Sequence, residues 1–271
     1  MTTPTGRLAG ADPFELPGTA EVGVLLVHGF TGTPHEMRPV GEALAGRGIG
    51  SHAILLRGHG THPDDLVGCR YVDWIDDVQR GLDRLLRTYP AAVVVGLSMG
   101  GTLALNVAAR RADDSRLLGL VTICAPVRMD DWRLRLLPIL TRLIKWHAWG
   151  RPDIKDAAAR RRHVGYPRFR TAVLPAFLAL LADTRARLQA ICQPVLILQA
   201  ASDHVVPPVN ARWIHGAVSS RDRQVLELQD CYHVATVDVA ADQVNDAVIR
   251  FVERLAMAPN ASSLAPIGDA R

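Results

Sequence analysis

Short runs of apolar residues recur along the chain and predict the strands of a buried sheet. The runs at residues 22–28 and 117–124 are apolar at nearly every position. Such runs are typical of a parallel sheet covered by helices on both faces, because both sides of each strand are then buried. The predicted strands are residues 22–28, 49–56, 91–97, 117–124, 194–201 and 224–228.

Between the strands lie segments whose apolar residues recur at helical spacing. In residues 71–89, Trp74, Ile75, Val78 and Leu82 fall on one face of a helix. The predicted helices are residues 35–47, 71–89, 102–110 and 239–255. Because strands and helices alternate, the expected fold class is α/β, a mostly parallel central sheet flanked by helices with right-handed crossovers.

One long insertion interrupts this alternation. Residues 130–149 and 171–188 have amphipathic helical spacing, whereas residues 151–170 are polar and irregular. We expect residues 127–189 to form a helical cap over the carboxyl edge of the sheet, where ligands of open α/β sheets bind. Residues 1–126 and 190–258 then form the core. Residues 4–16 and the tail 259–271 are expected to be poorly ordered.

The charge of the chain is concentrated in this insertion. Residues 126–190 hold 14 Lys and Arg against 5 Asp and Glu, a net charge of +9. The whole chain of 271 residues carries +4, so the rest of it is net −5. No recognisable nucleic-acid-binding motif accompanies the basic segment, and nucleic acid is therefore not an expected partner.

Cysteine usage and the N-terminus bear on the cellular compartment. The four cysteines, Cys69, Cys124, Cys192 and Cys231, show no metal-ligand spacing. We expect reduced thiols in a cytoplasmic protein, with a disulfide pair as the alternative, and no metal site. The N-terminus lacks the apolar segment of a signal peptide, and no apolar run approaches the length of a membrane span.

The most informative segment is residues 91–101, AAVVVGLSMGG. A buried strand ends in Gly-Leu-Ser-Met-Gly, and a helix-forming stretch follows at once. A strand, a sharp turn and a helix with Ser98 at the apex form the arrangement that exposes a nucleophilic hydroxyl above a sheet. The alternative is an ordinary glycine-rich connection between a strand and a helix.

A serine hydroxyl needs an oriented base, and chain order selects one. In this topology the acid follows a late strand and the histidine follows the last strand. Asp203 comes directly after the strand at 194–201, and His233 follows the strand at 224–228. Ser98, Asp203 and His233 are therefore predicted as nucleophile, orienting carboxylate and general base.

Other interpretations of these residues remain open at this point. Asp203 is also a plausible turn residue, and His233 a plausible surface-loop histidine. Asp230 is the rival acid, although it lies only three positions before His233. His204 is expected to neighbour the site, and no catalytic role is expected for the remaining histidines considered, His147, His163 and His215.

An oxyanion hole requires two further donors. The amide of Met99 follows the serine at a helix N-terminus, and the second donor is expected in the loop after the first buried strand. That loop reads His28-Gly29-Phe30-Thr31-Gly32, and the amide of Phe30 is the candidate. No Gly-Lys-Ser/Thr ending is present, which excludes a phosphate-binding loop.

Five motifs together resemble a known superfamily. They are VLLVHGFTG at 24–32, RGHG at 57–60, GLSMGG at 96–101, SDHVVPP at 202–208 and YHVATVD at 232–238. They are similar to the α/β-hydrolases, and most similar to bacterial monoacylglycerol lipases and related small carboxylesterases. The resemblance implies the α/β-hydrolase fold, the triad Ser98, Asp203 and His233, and the oxyanion donors Phe30 and Met99. Hydrolysis by such a triad requires no metal or organic cofactor, and none is expected.

The expected function is hydrolysis of a small-molecule acyl ester through an acyl-enzyme. A non-ester hydrolase acting on an amide, a thioester or a C–C bond is one alternative, and a receptor-like ligand-binding protein is another. Apolar residues of the cap are expected to line an acyl tunnel or to bury the cap on the core: Leu136, Leu137, Ile139, Leu140, Phe177 and Leu181.

The basic face of the cap has two interpretations. Its residues are Arg133, Arg135, Arg142, Lys145, Arg151 and 160–162, together with Trp132, Trp146 and Trp149. A solvated helix face is the simpler one, and weak contact with anionic lipid is the other. The oligomeric state is not predicted.

Overall fold

In the described part of the chain, the central sheet has seven strands. The structure is a computed structural model that describes residues 6–129, 141, 143–148 and 150–257. The strands are β1 (Phe14–Leu16), β2 (Val22–Val27), β3 (Ser51–Ile54), β4 (Ala91–Leu97), β5 (Leu117–Ile123), β8 (Val195–Ala200) and β9 (Arg223–Leu228). Two more strands, β6 (Trp146–Ala148) and β7 (Arg168–Arg170), form a separate antiparallel pair.

The sheet has the order β1-β3-β2-β4-β5-β8-β9. Every neighbouring pair is parallel except β1 with β3, which is antiparallel. All residues of β2, β4 and β8 are buried, because helices cover both faces. The predicted α/β class with a mostly parallel sheet is confirmed.

The helices divide between the two faces of the sheet. They are α1 (Arg38–Ala45), α2 (Tyr71–Thr88), α3 (Met99–Arg110), α4 (Ala157–Arg162), α5 (Leu174–Arg187), α6 (Val209–Ala217) and α7 (Ala241–Met257). Helices α2, α3, α5 and α6 contribute to one hydrophobic core, and α1 and α7 contribute to the other. No helix in the described part of the chain is long and apolar enough to cross a membrane.

The carboxyl edge of the sheet collects the loops that matter for function. Val27 pairs with Gly96, and Gly96 pairs with Thr122, so β2, β4 and β5 end side by side. The loop after β2 carries Phe30, and the turn after β4 carries Ser98. Parallel pairing of β5, β8 and β9 brings the ends of the last two strands to the same edge.

The N-terminal segment differs from its prediction. Residues 14–16 were expected to be poorly ordered, but they form β1 at the edge of the sheet. The ring of Phe14 lies under the Arg38 guanidinium, 4.2 Å from its carbon to the ring centroid. Three residues are too few to show a periodic pattern, and the strand is defined by its pairing with β3.

The insertion also differs from its prediction. A helix was predicted over 130–149, but residues 146–148 form a strand, and residues 130–140, 142 and 149 lie outside the described residues. The stretch 151–170 was predicted to be irregular, yet it contains α4 and β7. Arg168 and Arg170 stack on the Trp146 ring at 4.5 and 4.4 Å, and these contacts with the partner strand override local helical spacing.

The remaining helices and the C-terminal tail complete the comparison with the predicted elements. The predicted helix at 171–188 is present as a 3-10 turn, Thr171–Val173, followed by α5. Helix α6 was not predicted as a separate element, although a helical start after Asp203 was considered. The predicted tail at 259–271 lies outside the described residues.

Candidate active site

Ser98 occupies a strained turn between β4 and α3. Its backbone has φ 52° and ψ −120°, a conformation that non-glycine residues rarely adopt. The Ser98 N–H donates to the Ile123 carbonyl at 2.7 Å, which attaches the turn to β5. The neighbouring glycines are required by space, since a Cβ at Gly96 would lie 2.2 Å from the Gly100 carbonyl carbon.

Substitution of Gly100 by alanine is expected to destabilise the protein by at least about 3 kcal/mol. The added Cβ would lie 2.2 Å from the Val27 carbonyl oxygen, and neither strand nor helix backbone can give way cheaply. Urea denaturation measures the effect. The matched control is Gly216→Ala in α6, where nothing lies within 4 Å and a change of at most about 1 kcal/mol is expected. Equal denaturation midpoints for the two variants would contradict this explanation.

The structure brings the three predicted site residues into one hydrogen-bonded chain. Ser98 Oγ lies 2.9 Å from His233 Nε2, and His233 Nδ1 lies 2.8 Å from Asp203 Oδ2. The residues come from the turn after β4, the loop after β8 and the loop after β9. A hydroxyl, an imidazole and a carboxylate in this order form the geometry of an activated nucleophile.

The Asp203 side chain is completely buried, and both of its carboxylate oxygens accept hydrogen bonds. Its Oδ1 accepts the backbone N–H groups of Val205 at 2.9 Å and Val206 at 2.8 Å. Its Oδ2 accepts from His233, and also from the Gln199 side-chain amide at 3.3 Å. Burial opposes ionisation, but the charge of His233 and these hydrogen bonds hold the pKa of Asp203 below its usual value.

The pKa of His233 is shifted in the opposite direction. Burial opposes the charged imidazolium, but the Asp203 charge and hydrogen bond outweigh it and raise the pKa of His233 above its ordinary value of 6.5. The rival acid Asp230 is exposed and bonds the Lys155 ammonium group. The imidazole is therefore paired with Asp203 in this structure, and Asp230 is engaged elsewhere.

The loop after β2 passes directly over the serine. A Cβ at Gly29 would lie 3.3 Å from Ser98 Cβ, so only a glycine allows this approach without displacing a neighbour. Phe30 follows Gly29, and Met99 is the first residue of α3. The first amides of a helix have no intrahelical acceptor. The two predicted oxyanion donors thus belong to the loop that approaches Ser98 and to the first turn of the helix that follows it.

Buried Glu36 holds this loop, and sequence reasoning missed it. Its Oε2 accepts the Gly29 N–H at 3.1 Å, and its Oε1 lies 2.8 Å from His163 Nε2. Burial opposes ionisation, but the His163 hydrogen bond and charge keep the pKa of Glu36 below its usual value. His163 was expected to have no catalytic role, and the structure gives it this supporting contact instead. A side-chain contact between segments far apart in the chain leaves no local sequence pattern.

The insertion contacts the same loop through its backbone. The Tyr166 N–H donates to the Thr31 carbonyl at 2.8 Å, and the Thr33 hydroxyl donates to the Val164 carbonyl at 2.8 Å. Thr31 has a positive φ of 63°, so these contacts hold a conformation that is unfavourable alone.

Aromatic side chains form an apolar wall around Phe30, the residue after the glycine that approaches Ser98. The Phe30 ring lies 5.1 Å from Phe169 and 5.4 Å from Phe177, both from the insertion. Phe177 is half-buried, whereas Leu181 is almost completely buried. The other predicted tunnel residues, Leu136, Leu137, Ile139 and Leu140, lie outside the described residues.

Among the described residues, one group of side chains has donor atoms close enough for a metal ion. Ligand atoms of Cys124, Asp203 and His233 lie within 4.8 Å of one another. Burial raises the pKa of the Cys124 thiol well above its usual value, so the metal-binding thiolate is disfavoured. Both imidazole nitrogens of His233 are already engaged, by Ser98 and Asp203. The arrangement favours nucleophilic chemistry over metal binding.

Comparison of sequences assigns the chain to a family. The sequence profile of the serine aminopeptidase S33 family matches residues 18–239. A thermostable monoacylglycerol lipase from Bacillus sp. strain H-257 is 37% identical over 253 residues, covering 90% of this chain and 95% of that protein. A carboxylesterase from Bacillus subtilis strain 168 is 29% identical over 244 residues, covering 90% and 96%.

Solved structures agree with this assignment. One from work on LipS and LipT, two metagenome-derived lipolytic enzymes, superposes with a TM-score of 0.86 at 30% identity, covering 92% of this chain and 99% of that chain. A monoacylglycerol lipase from Paleococcus ferrophilus shares the fold, with a TM-score of 0.77 at 18% identity and coverage of 90% and 98%. The chain is therefore a member of the serine aminopeptidase S33 family, within the α/β-hydrolase superfamily.

Proposed function

We propose that this protein is a serine carboxylic-ester hydrolase that acts through an acyl-enzyme. The observation that carries the proposal is the unbroken hydrogen-bonded chain from Ser98 Oγ through His233 to the Asp203 carboxylate. Its relatives include a monoacylglycerol lipase and a carboxylesterase, which supports ester chemistry on this site.

The mechanism uses each residue in a separate role. Ser98 Oγ attacks the ester carbonyl while His233 Nε2 takes its proton, and Asp203 stabilises the resulting imidazolium. The amides of Phe30 and Met99 donate to the oxyanion, a contribution of about 3 kcal/mol for each donor. His233 then protonates the leaving alcohol. Water, deprotonated by His233, finally releases the acid from Ser98.

The proposed substrates are monoacylglycerols or other short-to-medium-chain acyl esters. The apolar wall of Phe30, Phe169 and Phe177 suits an acyl chain. We assign residues 127–189 as the cap over the core, because this insertion supplies two of the three rings. Four free cysteines are compatible with the reducing conditions of a cytoplasmic location.

A substrate panel tests this proposal. Monoacylglycerols, di- and triacylglycerols, p-nitrophenyl esters of several chain lengths and an aminoacyl p-nitroanilide are compared at equal concentration. Turnover of monoacylglycerols and short esters is expected to exceed that of triacylglycerols and of the amide by at least about tenfold. Faster cleavage of the amide than of the esters would contradict the proposal and would indicate a peptidase. No turnover of any ester would favour a ligand-binding protein.

Weak contact with anionic lipid is a second element of the proposal. Leu143 and Ile144 are 75% and 52% exposed, and they adjoin Lys145 and the arginine-flanked ring of Trp146. Apolar side chains with basic neighbours suit an anionic interface. More protein is expected to sediment with anionic vesicles than with zwitterionic vesicles, which serve as the control. Equal sedimentation with both kinds of vesicle would indicate that the basic face is solvated and does not bind lipid.

A further inference from the structure

Asp153 of the insertion contacts both loops that carry the acid and the base. Its Oδ2 accepts the backbone N–H of His233 and that of His204, each at 3.1 Å. Its Oδ1 lies 2.9 Å from His204 Nδ1, and its carbonyl accepts the Val234 N–H at 3.2 Å. One residue of the insertion thus bonds the chain at His233 itself and at the residue after Asp203.

The segment that carries Asp153 is itself firmly attached. The buried carboxylate of Asp238 accepts the N–H groups of Lys155 and Asp156 through its two oxygens, each at 2.8 Å. It also accepts the N–H groups of Tyr232 and Val239, again each at 2.8 Å. Because Tyr232 precedes His233, the loop of the base and the insertion share one anchor. Asp153 therefore approaches His233 from a rigid position.

We propose, on the basis of the proposed hydrolase function, that Asp153 is a positioning residue of the reaction. It holds the main chain of His233, and its negative charge supports the imidazolium that forms during acylation. The insertion then helps to position the base His233 as well as covering the site. A carboxylate is suited to this position because a single oxygen can accept two N–H groups while the other meets His204.

The charged and titratable surroundings of His233 determine what a variant should do. They are Asp203 after β8, Asp153 from the insertion, Glu36 after β2 with its partner His163, Cys124 after β5, and His204 beside Asp203. Asp203, Asp153 and Glu36 all raise the pKa of His233, in that order. Loss of the Asp153 charge should therefore lower this pKa, and the base should stay neutral to a lower pH.

Two substitutions separate the charge of Asp153 from its hydrogen bonds. Asp153→Asn keeps an oxygen for the two N–H groups, removes the charge and places its NH₂ group against His204 Nδ1. It is expected to move the acidic limb of kcat/KM downward by about half a pH unit, since Asp153 acts across the backbone and is partly solvated. Asp153→Ala removes the bonds as well. It is expected to lower kcat about tenfold with little change in KM, because displacement of a catalytic group affects the chemical step.

The matched control is Asp156→Asn in the same segment. The Asp156 carboxylate caps α4 through the Ala159 N–H, and asparagine preserves that cap while removing the same charge. The acidic limb of this variant is expected to coincide with that of the unaltered protein.

The experiment measures kcat/KM for p-nitrophenyl butyrate against pH in all four proteins. The His233 ring is titrated by NMR in parallel. The inference is supported if the acidic limb of kcat/KM and the pKa of the His233 ring both shift in Asp153→Asn and neither shifts in Asp156→Asn. Equal shifts in both variants, or no shift in either, would overturn it. If the unaltered protein cleaves no ester, the hydrolase proposal fails, while the NMR titration still decides whether Asp153 acts on His233.

Discussion

Replacement of Ser98 by alanine is expected to lower kcat for p-nitrophenyl butyrate by about 10⁵- to 10⁶-fold. The variant loses the only atom that His233 Nε2 bonds in the described site, and no acyl-enzyme can form. The oxyanion donors remain, so a residual acceleration of about 10³-fold over water is expected. The measurement is a steady-state rate with protein purified separately from any wild-type sample.

Covalent labelling provides a second readout of the same substitution. A fluorophosphonate probe should modify the unaltered protein at Ser98 and leave Ser98→Ala unlabelled. Ser219→Ala is the matched control, because the Ser219 hydroxyl bonds the Gln189 carbonyl at an exposed position away from the site. It should keep full activity and labelling. Ester turnover that survives in Ser98→Ala would rule out the acyl-enzyme mechanism.

Replacement of Asp203 by asparagine is expected to lower kcat about 10⁴-fold. Oδ1 of Asp203 accepts two backbone N–H groups, from Val205 and Val206, so the asparagine carbonyl must take that position. Its NH₂ group then faces His233 Nδ1 and forces that nitrogen to accept. The proton moves to Nε2, which can no longer take the proton of Ser98.

Asp230→Asn is the control for this prediction. Asp230 is the other acid near His233 in the chain, but its carboxylate is exposed and bonds Lys155. Its backbone has φ 62°, a conformation that asparagine tolerates. A rate within about threefold of the unaltered protein is expected. A large loss of kcat in Asp230→Asn together with a small loss in Asp203→Asn would show that Asp230, and not Asp203, orients His233.

The parts of the fold that were predictable have strong local signals. The fully buried strands β2, β4 and β8 are continuous apolar runs, and α2 has a clear apolar face. The parts that were missed depend on partners far away in the chain. Strand β1 exists through its pairing with β3, and β6 exists through its pairing with β7. Helical spacing at residues 130–149 could not reveal that Trp146 would meet Arg168 and Arg170.

The candidate site shows the same division. Ser98, Asp203 and His233 could be proposed from their order after successive strands, because parallel strands deliver their ends to one edge of the sheet. Their supports could not be proposed. Glu36 and Asp153 carry no motif, and each is defined by the main-chain N–H groups that it accepts. His163 was assigned no role because its partner lies 127 positions away in the chain.

By itself, the sequence determined the α/β alternation, the turn at Ser98 and the order of the three site residues, since hydrophobic period and turn chemistry are properties of neighbouring residues. Only the tertiary structure decided which carboxylate faces His233, and that the insertion bonds both the Phe30 loop and the His233 loop. These outcomes depend on hydrogen bonds between segments far apart in the chain. Their geometry exists only after the sheet and its helices have packed.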